Sequence, residues 1–205
     1  MAARTFHRPS VWLAVLGFAT LVYVCRAGEY AANLRQSTPG TDLACGQKDY
    51  QGNPQPFCRI SGDVGQVADA CDANPACFSF DMEGSYGGYL KGAGAQQYTE
   101  GFSNYCKLEA DQSCAGSYTF MRRASIPGNN IDCRYKDYEG KLQPFCRING
   151  DITDLAAACD ANAECTAFDL EGSSIGYLKK AAGPTQYTEG FSVYEKRADG
   201  TPSSG

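Results

Sequence analysis

The segment Cys71-Asp-Ala-Asn-Pro-Ala-Cys77-Phe-Ser-Phe-Asp81 occurs twice, and it decides how each half of this chain is expected to fold. Its second copy, 88 positions later, is Cys159-Asp-Ala-Asn-Ala-Glu-Cys165-Thr-Ala-Phe-Asp169. Before each first cysteine, apolar residues recur at i, i+3, i+4 and i+7, a spacing that predicts one face of a short amphipathic helix. These residues are Val64, Val67, Ala68 and Cys71 in the first copy and Ile152, Leu155, Ala156 and Cys159 in the second.

Both ends of the predicted helix carry sequence signals. Asp63 and Asp151 each follow a glycine and stand where an N-cap residue is expected. The Asn-Pro or Asn-Ala dipeptide after the first cysteine ends the helix. Beyond the second cysteine, apolar residues alternate with Asp and Glu, which predicts a strand. The unit is therefore a helix, a tight turn and a strand, with one cysteine on each side of the turn.

The repeat extends well beyond this unit. Gln55-Pro-Phe-Cys-Arg-Ile60 returns as Gln143-Pro-Phe-Cys-Arg-Ile148, and Gly88-Tyr-Leu-Lys91 returns as Gly176-Tyr-Leu-Lys179. A hairpin and a final strand complete each copy, which predicts an α+β fold with one helix on a small, mostly antiparallel sheet. We therefore expect two small domains. The predicted boundaries are a signal peptide at 1–27, domains at 28–109 and 116–197, a linker at 110–115 and a disordered tail at 198–205.

Residues 1–27 have the features of a secretory signal. Two arginines precede an apolar run at 11–24, and Cys25 and Ala27 supply small residues before the predicted cleavage site. The apolar run is too short for a comfortable membrane span. We therefore expect a secreted mature chain, at the cell surface or in the matrix, without membrane insertion. An uncleaved N-terminal anchor is the alternative.

Composition narrows the chemistry of the mature chain. The chain has one His and one Trp, and both lie in the predicted signal. Without that segment, 15 basic residues face 23 acidic ones, and this charge argues against binding to nucleic acid. Without His there is no Ser/His or Cys/His nucleophile pair. We therefore predict no catalytic residues, no cofactor and no metal site.

Ten of the 11 cysteines lie beyond the predicted signal, an even number that predicts five disulfides in an oxidising compartment. The four cysteines of the second copy allow three pairings, of which the sequential one closes two short local loops. Cys106 and Cys114 have no counterpart in the second copy, so the remaining pairing is a disulfide between them. A bond from either one to another chain is the alternative. The predicted pairs are Cys45–Cys58, Cys71–Cys77, Cys106–Cys114, Cys133–Cys146 and Cys159–Cys165.

A helix ending in Cys, a second Cys after five residues, an aromatic strand and a Tyr-Leu-Lys strand resemble the PAN/apple domain. The resemblance covers 28–109 and 116–197. It implies that each domain packs one helix on a curled, mostly antiparallel β-sheet, with the Cys-x5-Cys bond at Cys71–Cys77 and Cys159–Cys165. It also implies recognition of protein or carbohydrate.

One feature of that family is missing in both copies. The resemblance implies a further disulfide between the helix and the Tyr-Leu-Lys strand, and both of its positions hold other residues here. Val67 faces Gly88 in the first copy, and Leu155 faces Gly176 in the second. We therefore expect a hydrophobic contact in place of the bond.

The candidate ligand site is a loop bounded by Gly and Pro that carries a Lys-Asp-Tyr motif with a Gln nearby. A Tyr ring beside hydrogen-bonding side chains is suited to stack on and hold a sugar. The competing interpretation, which we favour for these residues taken by themselves, is structural: the Tyr packs over the disulfide, and its recurrence only reflects the duplication. The candidate residues are Lys48, Asp49, Tyr50 and Gln55 in the first copy and Lys136, Asp137, Tyr138 and Gln143 in the second.

A second repeated constellation is acidic. Asp81 with Glu83, and Asp169 with Glu171, stand at i and i+2 of a strand and point to one face. Two carboxylates on one face suit Ca²⁺ binding or acid–base chemistry. The competing interpretation, which we favour, is a solvated strand face, with the lysine of each Tyr-Leu-Lys strand extending over the hairpin towards water.

The favoured function is a secreted, non-enzymatic binding module that recognises carbohydrate or protein outside the cell. The expected partner is an extracellular glycan or protein. The first alternative is a structural subunit of an extracellular assembly. The second is a small hydrolase that uses the repeated carboxylate pairs.

Overall fold

A computed structural model describes residues 29–108, 116–181 and 183–197. The strands are β1 (Glu29–Ser37), β2 (Arg59–Ile60), β3 (Ser79–Glu83), β4 (Gly88–Lys91), β5 (Gln97–Lys107), β6 (Tyr118–Ser125), β7 (Arg147–Asn149), β8 (Ala167–Glu171), β9 (Ile175–Lys179) and β10 (Gln186–Lys196). The helices are α1 (Val64–Ala73) and α2 (Ile152–Asp160). The predicted signal, linker and tail lie outside the residues described.

Both helices begin where the sequence predicts. The Asp63 carboxylate accepts a hydrogen bond from the Gln66 backbone N–H at 2.9 Å, and the Gln66 side chain accepts one from the Asp63 backbone N–H at 3.0 Å. Asp151 and Asp154 form the same reciprocal pair in α2. Such a capping box gives partners to backbone N–H groups that the first turn cannot pair internally. The predicted apolar face is buried in each helix.

The ten strands form one sheet in the order β2-β4-β3-β5-β1-β6-β10-β8-β9-β7. The two repeats meet at β1 and β6, which pair antiparallel with Tyr30 opposite Phe120 and Ala32 opposite Tyr118. The predicted fold class, two separate helix-on-sheet domains, is therefore wrong. Both repeats belong to one open, antiparallel sheet that carries two short helices.

An unpaired strand edge explains this fusion. Within its own repeat, β1 pairs only with β5, and β6 pairs only with β10. A repeat on its own would therefore expose a row of backbone N–H and C=O groups along its first strand. The β1–β6 pairing gives those groups partners.

One hydrophobic core runs through both repeats. Phe80 stacks on Tyr105 with ring centres 4.8 Å apart, and Phe168 stacks on Tyr194 at 4.9 Å. The hydroxyls of Tyr105 and Tyr194 lie 3.2 Å apart, so the two stacks meet. The Phe120 ring lies 5.3 Å from Tyr105 and 5.2 Å from Tyr194, which makes it a contact of both repeats.

A small cleft of about 20 Å³ marks a pseudo-two-fold axis between the repeats. Because Phe120 is almost equally distant from Tyr105 and Tyr194, it lies close to this axis. The equivalent position in β1 is Ala32, a much smaller side chain. The cleft is lined by five equivalent pairs: Val64 and Ile152, Met82 and Leu170, Gly84 and Gly172, Ser85 and Ser173, Tyr105 and Tyr194.

Four of the five predicted disulfides are confirmed: Cys45–Cys58, Cys71–Cys77, Cys133–Cys146 and Cys159–Cys165. The fifth prediction, Cys106–Cys114, involves a residue outside those described. Disulfides in this number are typical of proteins that fold in an oxidising, non-cytoplasmic compartment. Within residues 29–108, 116–181 and 183–197, no helix has the length and apolar character needed to cross a membrane.

The predicted hydrophobic contact between each helix and the Tyr-Leu-Lys strand is confirmed. A Cβ on Gly88 would lie 2.8 Å from Val67 Cγ1, and a Cβ on Gly176 would overlap the Leu155 side chain. Val67 and Leu155 are completely buried. The glycines therefore let the apolar helix residues pack directly on the strand backbone.

Replacing Leu155 with alanine is expected to lower the free energy of unfolding by about 2–4 kcal/mol, because it removes buried methyl groups and leaves a cavity against Gly176. Denaturant unfolding monitored by circular dichroism measures this change. Leu142→Ala is the matched control, since Leu142 is 58% exposed and should change stability very little. Equal midpoints for Leu155→Ala and the unmodified chain would contradict the docking of α2 on β9.

Candidate functional site

The two predicted ligand loops have the same architecture. An isolated β-bridge between Lys48 and Pro54 closes the first loop, and one between Lys136 and Leu142 closes the second. In the first loop, Asp49 Oδ1 accepts hydrogen bonds from the backbone N–H groups of Gln51 at 2.9 Å and of Asn53 at 2.8 Å. An Asp that bonds to backbone N–H groups two and four residues ahead stabilises a tight turn.

Asp137 organises the second loop in the same way. Its Oδ1 accepts from the backbone N–H groups of Glu139 at 3.0 Å and Lys141 at 2.9 Å, while its Oδ2 accepts from the Gln143 side chain at 2.6 Å. In the first loop the corresponding Oδ2 is bonded by Asn53 at 3.0 Å. These side-chain and backbone bonds from Asn53 lower the pKa of Asp49.

The tyrosines stand at the tips of these loops. Tyr50 and Tyr138 are each 96% exposed, so the interpretation in which they pack over a disulfide is wrong. Lys48 and Lys136 are exposed beside them. The structure thus brings the Lys, Asp, Tyr and Gln of each motif into one loop. The hydrogen bonds of both Asp residues and of Gln143 hold these loops together.

The structure shows a group of aromatic residues next to the first loop that was not predicted from the sequence. The Tyr89 ring lies 5.7 Å from Phe57 and 6.4 Å from Phe102, and all three are half-buried. The Tyr89 hydroxyl donates to Glu83 Oε2 at 3.0 Å, and the Arg59 guanidinium lies 6.0 Å from the ring centre. We call these three rings, and their equivalents in the second repeat, the outer ladder.

The outer ladder of the second repeat has a fourth ring. Phe145, Tyr177 and Phe191 repeat the spacings of the first ladder, and Tyr135 stacks on Phe145 at 5.9 Å. Arg147 donates to the Tyr135 hydroxyl at 3.2 Å, and this hydrogen bond raises the pKa of the Arg147 guanidinium. The sequence signal for the ladder is that three of these positions are aromatic in both copies, whereas Tyr135 corresponds to Gln47. The signal does not show that the rings meet, because each lies on a different strand or loop.

The two loops lie at opposite edges of the sheet. Each precedes an edge strand, β2 in the first repeat and β7 in the second. Gln47, at the base of the first loop, ties it to β2 through hydrogen bonds to the backbone O and N of Arg59 at 2.7 and 3.0 Å. Nine inter-strand spacings of about 4.8 Å separate β2 from β7 along the sheet. The structure therefore presents two similar surfaces rather than one combined site.

The repeated carboxylates do not form the solvated face that the sequence favoured. Asp81 and Asp169 are buried, whereas Glu83 is exposed at the end of β3. Asp81 accepts hydrogen bonds from the Thr38 backbone N–H at 3.0 Å and from Asn104 Nδ2 at 2.7 Å. Its carboxylate oxygens are thus used to fix the segment that follows β1.

The lysines of the Tyr-Leu-Lys strands are buried beside these carboxylates, so the predicted extension towards water is wrong. Lys91 Nζ lies 3.4 Å from Asp81, and Lys179 Nζ lies 3.1 Å from Asp169. Lys179 also donates to the backbone O of Ile126 at 2.7 Å. Burial raises the pKa of Asp169, and the Lys179 charge opposes this shift.

Within the part of the chain that the structure describes, no group of three or more His, Cys, Asp or Glu residues is arranged to hold a metal ion. Comparisons with protein-family models, curated proteins and solved structures found no match to the chain.

Proposed function

We propose that the chain is an extracellular, non-enzymatic binding module that recognises carbohydrate or protein through its two tyrosine loops. The observation that carries this proposal is the 96% exposure of Tyr50 and Tyr138 at the tips of loops that are otherwise well bonded. A fully exposed ring has a large apolar surface, which a ligand can cover while the hydroxyl stays hydrogen-bonded. The disulfides and the predicted signal support an extracellular location.

The rigidity of the loops supports recognition. Asp49 and Asp137 hold their turns through several hydrogen bonds each, so the tyrosine backbone is already ordered before a ligand arrives. Binding to an ordered loop loses less conformational entropy than binding to a flexible one. The loops thus present the tyrosines at low entropic cost.

The outer ladders extend each surface. Their half-exposed rings offer faces for stacking, and Glu83 and Arg59 place an acceptor and a donor beside Tyr89. Because the two surfaces lie at opposite edges of the sheet, one molecule can bind two units of a repetitive ligand. Such bivalent binding raises the overall affinity when the spacing of the ligand matches.

The test is binding of residues 28–205 to a glycan array, with the unmodified chain compared with a Tyr50→Ala/Tyr138→Ala variant. We expect reproducible binding that the double variant loses, because it removes both exposed rings. Tyr86→Ala is the control, since Tyr86 is also exposed, at 65%, but lies in the β3–β4 turn. EDTA added in parallel reports any requirement for a divalent cation.

Two other results are informative. Full glycan binding by the double variant would remove the loops from the proposal. A blank array, followed by capture of a cell-surface protein that the double variant cannot capture, would assign the loops to protein recognition. The alternative function, a structural subunit of an assembly, requires a polymer or stable complex in light scattering, and a monomer at high concentration would contradict it.

A further inference from the structure

Lys91, at the end of β4, is held beside an aspartate from another segment of the first repeat. Asp42 and Lys91 are Cα partners in an isolated antiparallel bridge. One backbone hydrogen bond on each side of this pair, at 2.8 and 3.0 Å, holds residues 41–43 beside residues 90–92. Residues that face each other across an antiparallel pair have neighbouring side chains. The backbone therefore places the amine and the carboxylate together.

The amine lies between two carboxylates. Lys91 Nζ is 2.7 Å from Asp42 Oδ1 and 3.4 Å from Asp81 Oδ2. Lys91 and Asp81 are buried, whereas the Asp42 side chain is 34% exposed. Among the described residues, no backbone carbonyl accepts a hydrogen bond from this amine. The interactions of Nζ are thus with one carboxylate at hydrogen-bond distance and a second one close by.

This arrangement brings an amine and a carboxyl group to the separation from which an amide can form. Groups that are held close in a fixed orientation react far faster than the same groups free in solution. A buried ion pair is costly because both charges lose their hydration, whereas an amide carries no charge. We propose that Lys91 and Asp42 join in an intramolecular isopeptide bond, with Asp81 as the proton-transfer group.

The reaction needs no external reagent. A proton passes from Lys91 Nζ to the Asp42 carboxylate, which gives a neutral amine and a neutral carboxyl group. Nζ then attacks Cγ of Asp42, while Asp81 takes a second proton from Nζ and delivers it to the departing hydroxyl. One C–N bond forms, one C–O bond breaks and one water molecule leaves. No group is oxidised or reduced, and Asp81 returns to its starting state.

The second repeat holds its equivalent lysine differently and is expected to remain unreacted. Lys179 Nζ donates to the backbone O of Ile126 at 2.7 Å and of Gly128 at 3.3 Å. These carbonyls hold protons that the amine must lose before it can attack. The side chain that corresponds to Asp42 is Asn130, and an amide carbon is less reactive towards an amine than the carbon of a neutral carboxyl group. The second repeat is therefore an internal control.

The bond attaches the first tyrosine loop to the sheet. Asp42 comes shortly before Cys45, whose disulfide with Cys58 closes the segment that carries Tyr50. Because an amide is not broken by reducing agents, the start of this segment stays joined to β4 when the disulfide is reduced. The inference concerns the sheet and does not depend on ligand binding by the tyrosine loops.

The test is the intact mass of residues 28–205 after reduction of the disulfides. The expected mass is that of the sequence less one water molecule. Asp42→Ala should have the full mass of its own sequence, because it removes the carboxyl group that reacts. Asn130→Ala, the matched change in the second repeat, should keep the deficit of one water. A full sequence mass in the unmodified chain would overturn the proposal.

Peptide mapping locates the bond. Trypsin does not cleave after an acylated lysine, so the peptides 36–48 and 60–107 should be recovered joined through Asp42 and Lys91. Lys91→Arg keeps a positive charge between the two carboxylates and should show neither the joined peptides nor the deficit. A deficit that persists in Lys91→Arg or in Asp42→Ala would mean that the water is lost elsewhere, and this too would overturn the proposal.

Asp81→Asn tests the proton transfer. Its side chain keeps an oxygen that can accept from the Thr38 backbone N–H, but it cannot take up a proton from the amine. Mass followed over time after cell-free synthesis in an oxidising buffer should show water loss slowed by about 100-fold or more. Thermal unfolding checks that the variant folds. A folded Asp81→Asn chain that loses water at the unmodified rate would contradict the role of Asp81.

Discussion

Replacing Phe120 with alanine is expected to lower the free energy of unfolding by about 3–5 kcal/mol, the range for removing a buried Phe ring. Phe120 is completely buried and contacts Tyr105 of the first repeat and Tyr194 of the second. Because one ring supports both halves of the core, the loss should affect both repeats together. Denaturant unfolding followed by far- and near-ultraviolet circular dichroism should show one transition at a lower midpoint.

Phe102→Ala is the control for this prediction. Phe102 is half-buried in the outer ladder and lies away from the axis between the repeats, so its loss should be clearly smaller. Two separate transitions in the Phe120 variant, or a stability equal to that of the unmodified chain, would contradict a shared core. They would indicate that each repeat folds by itself.

Replacing Lys179 with methionine is expected to cost about 3–5 kcal/mol at pH 7, because it leaves the buried Asp169 carboxylate without its opposite charge. Lys179 Nζ lies 3.1 Å from Asp169 and donates to Ile126 O and Asn130 Oδ1 at 2.7 Å each. Chemical unfolding at pH 7 measures the loss. Lys48→Met, on an exposed lysine, should have little effect.

The loss in this variant should shrink as the pH falls. Burial raises the pKa of Asp169 in the folded chain, and Lys179 opposes the rise, so removing Lys179 raises this pKa further. A carboxyl whose pKa is higher in the folded state than in the unfolded state binds its proton more tightly when folded. Its contribution to stability is therefore greatest below the unfolded pKa and is lost as the pH rises through the folded pKa.

Unfolding at pH 5 and pH 7 tests this dependence. The difference between Lys179→Met and the unmodified chain should be smaller at pH 5. Adding Asp169→Asn removes the uncompensated charge and leaves an oxygen that can accept from the Ile126 backbone N–H, so the double variant should recover part of the loss at pH 7. A loss in Lys179→Met that is the same at both pH values would show that the ion pair is not its cause.

The local structure could be predicted from the sequence. The helix caps join residues three positions apart, as Asp63 and Gln66 do, and the shorter disulfides join residues six positions apart. Contacts between residues so close in the chain depend on the local spacing of donors, acceptors and cysteines, and this spacing can be read from the sequence. The packing of Val67 and Leu155 against glycines was also predictable, because both copies place the same small and large residues in the same positions.

Which strand faces are covered could not be predicted, because it depends on the packing of distant segments. Asp81 and Glu83 point to the same face of β3, yet Asp81 is buried and Glu83 is exposed. The difference arises because the segment after β1 crosses the sheet and Thr38 bonds to Asp81. A period of two reveals the face to which a residue points but not what covers that face.

The pairing of the two repeats through β1 and β6 could not be predicted from the sequence either. The alternation in β1 is the same whether its outer edge meets water or β6, since backbone pairing leaves no mark on the side-chain pattern. The outer ladders follow from the strand order within each repeat, and the small cleft at the pseudo-two-fold axis follows from the union of the repeats. Both bring together residues that are distant in the chain. The sequence thus determined each helix, hairpin and local disulfide, while the packing of distant strands decided that the two repeats share one sheet, one core and the surfaces between them.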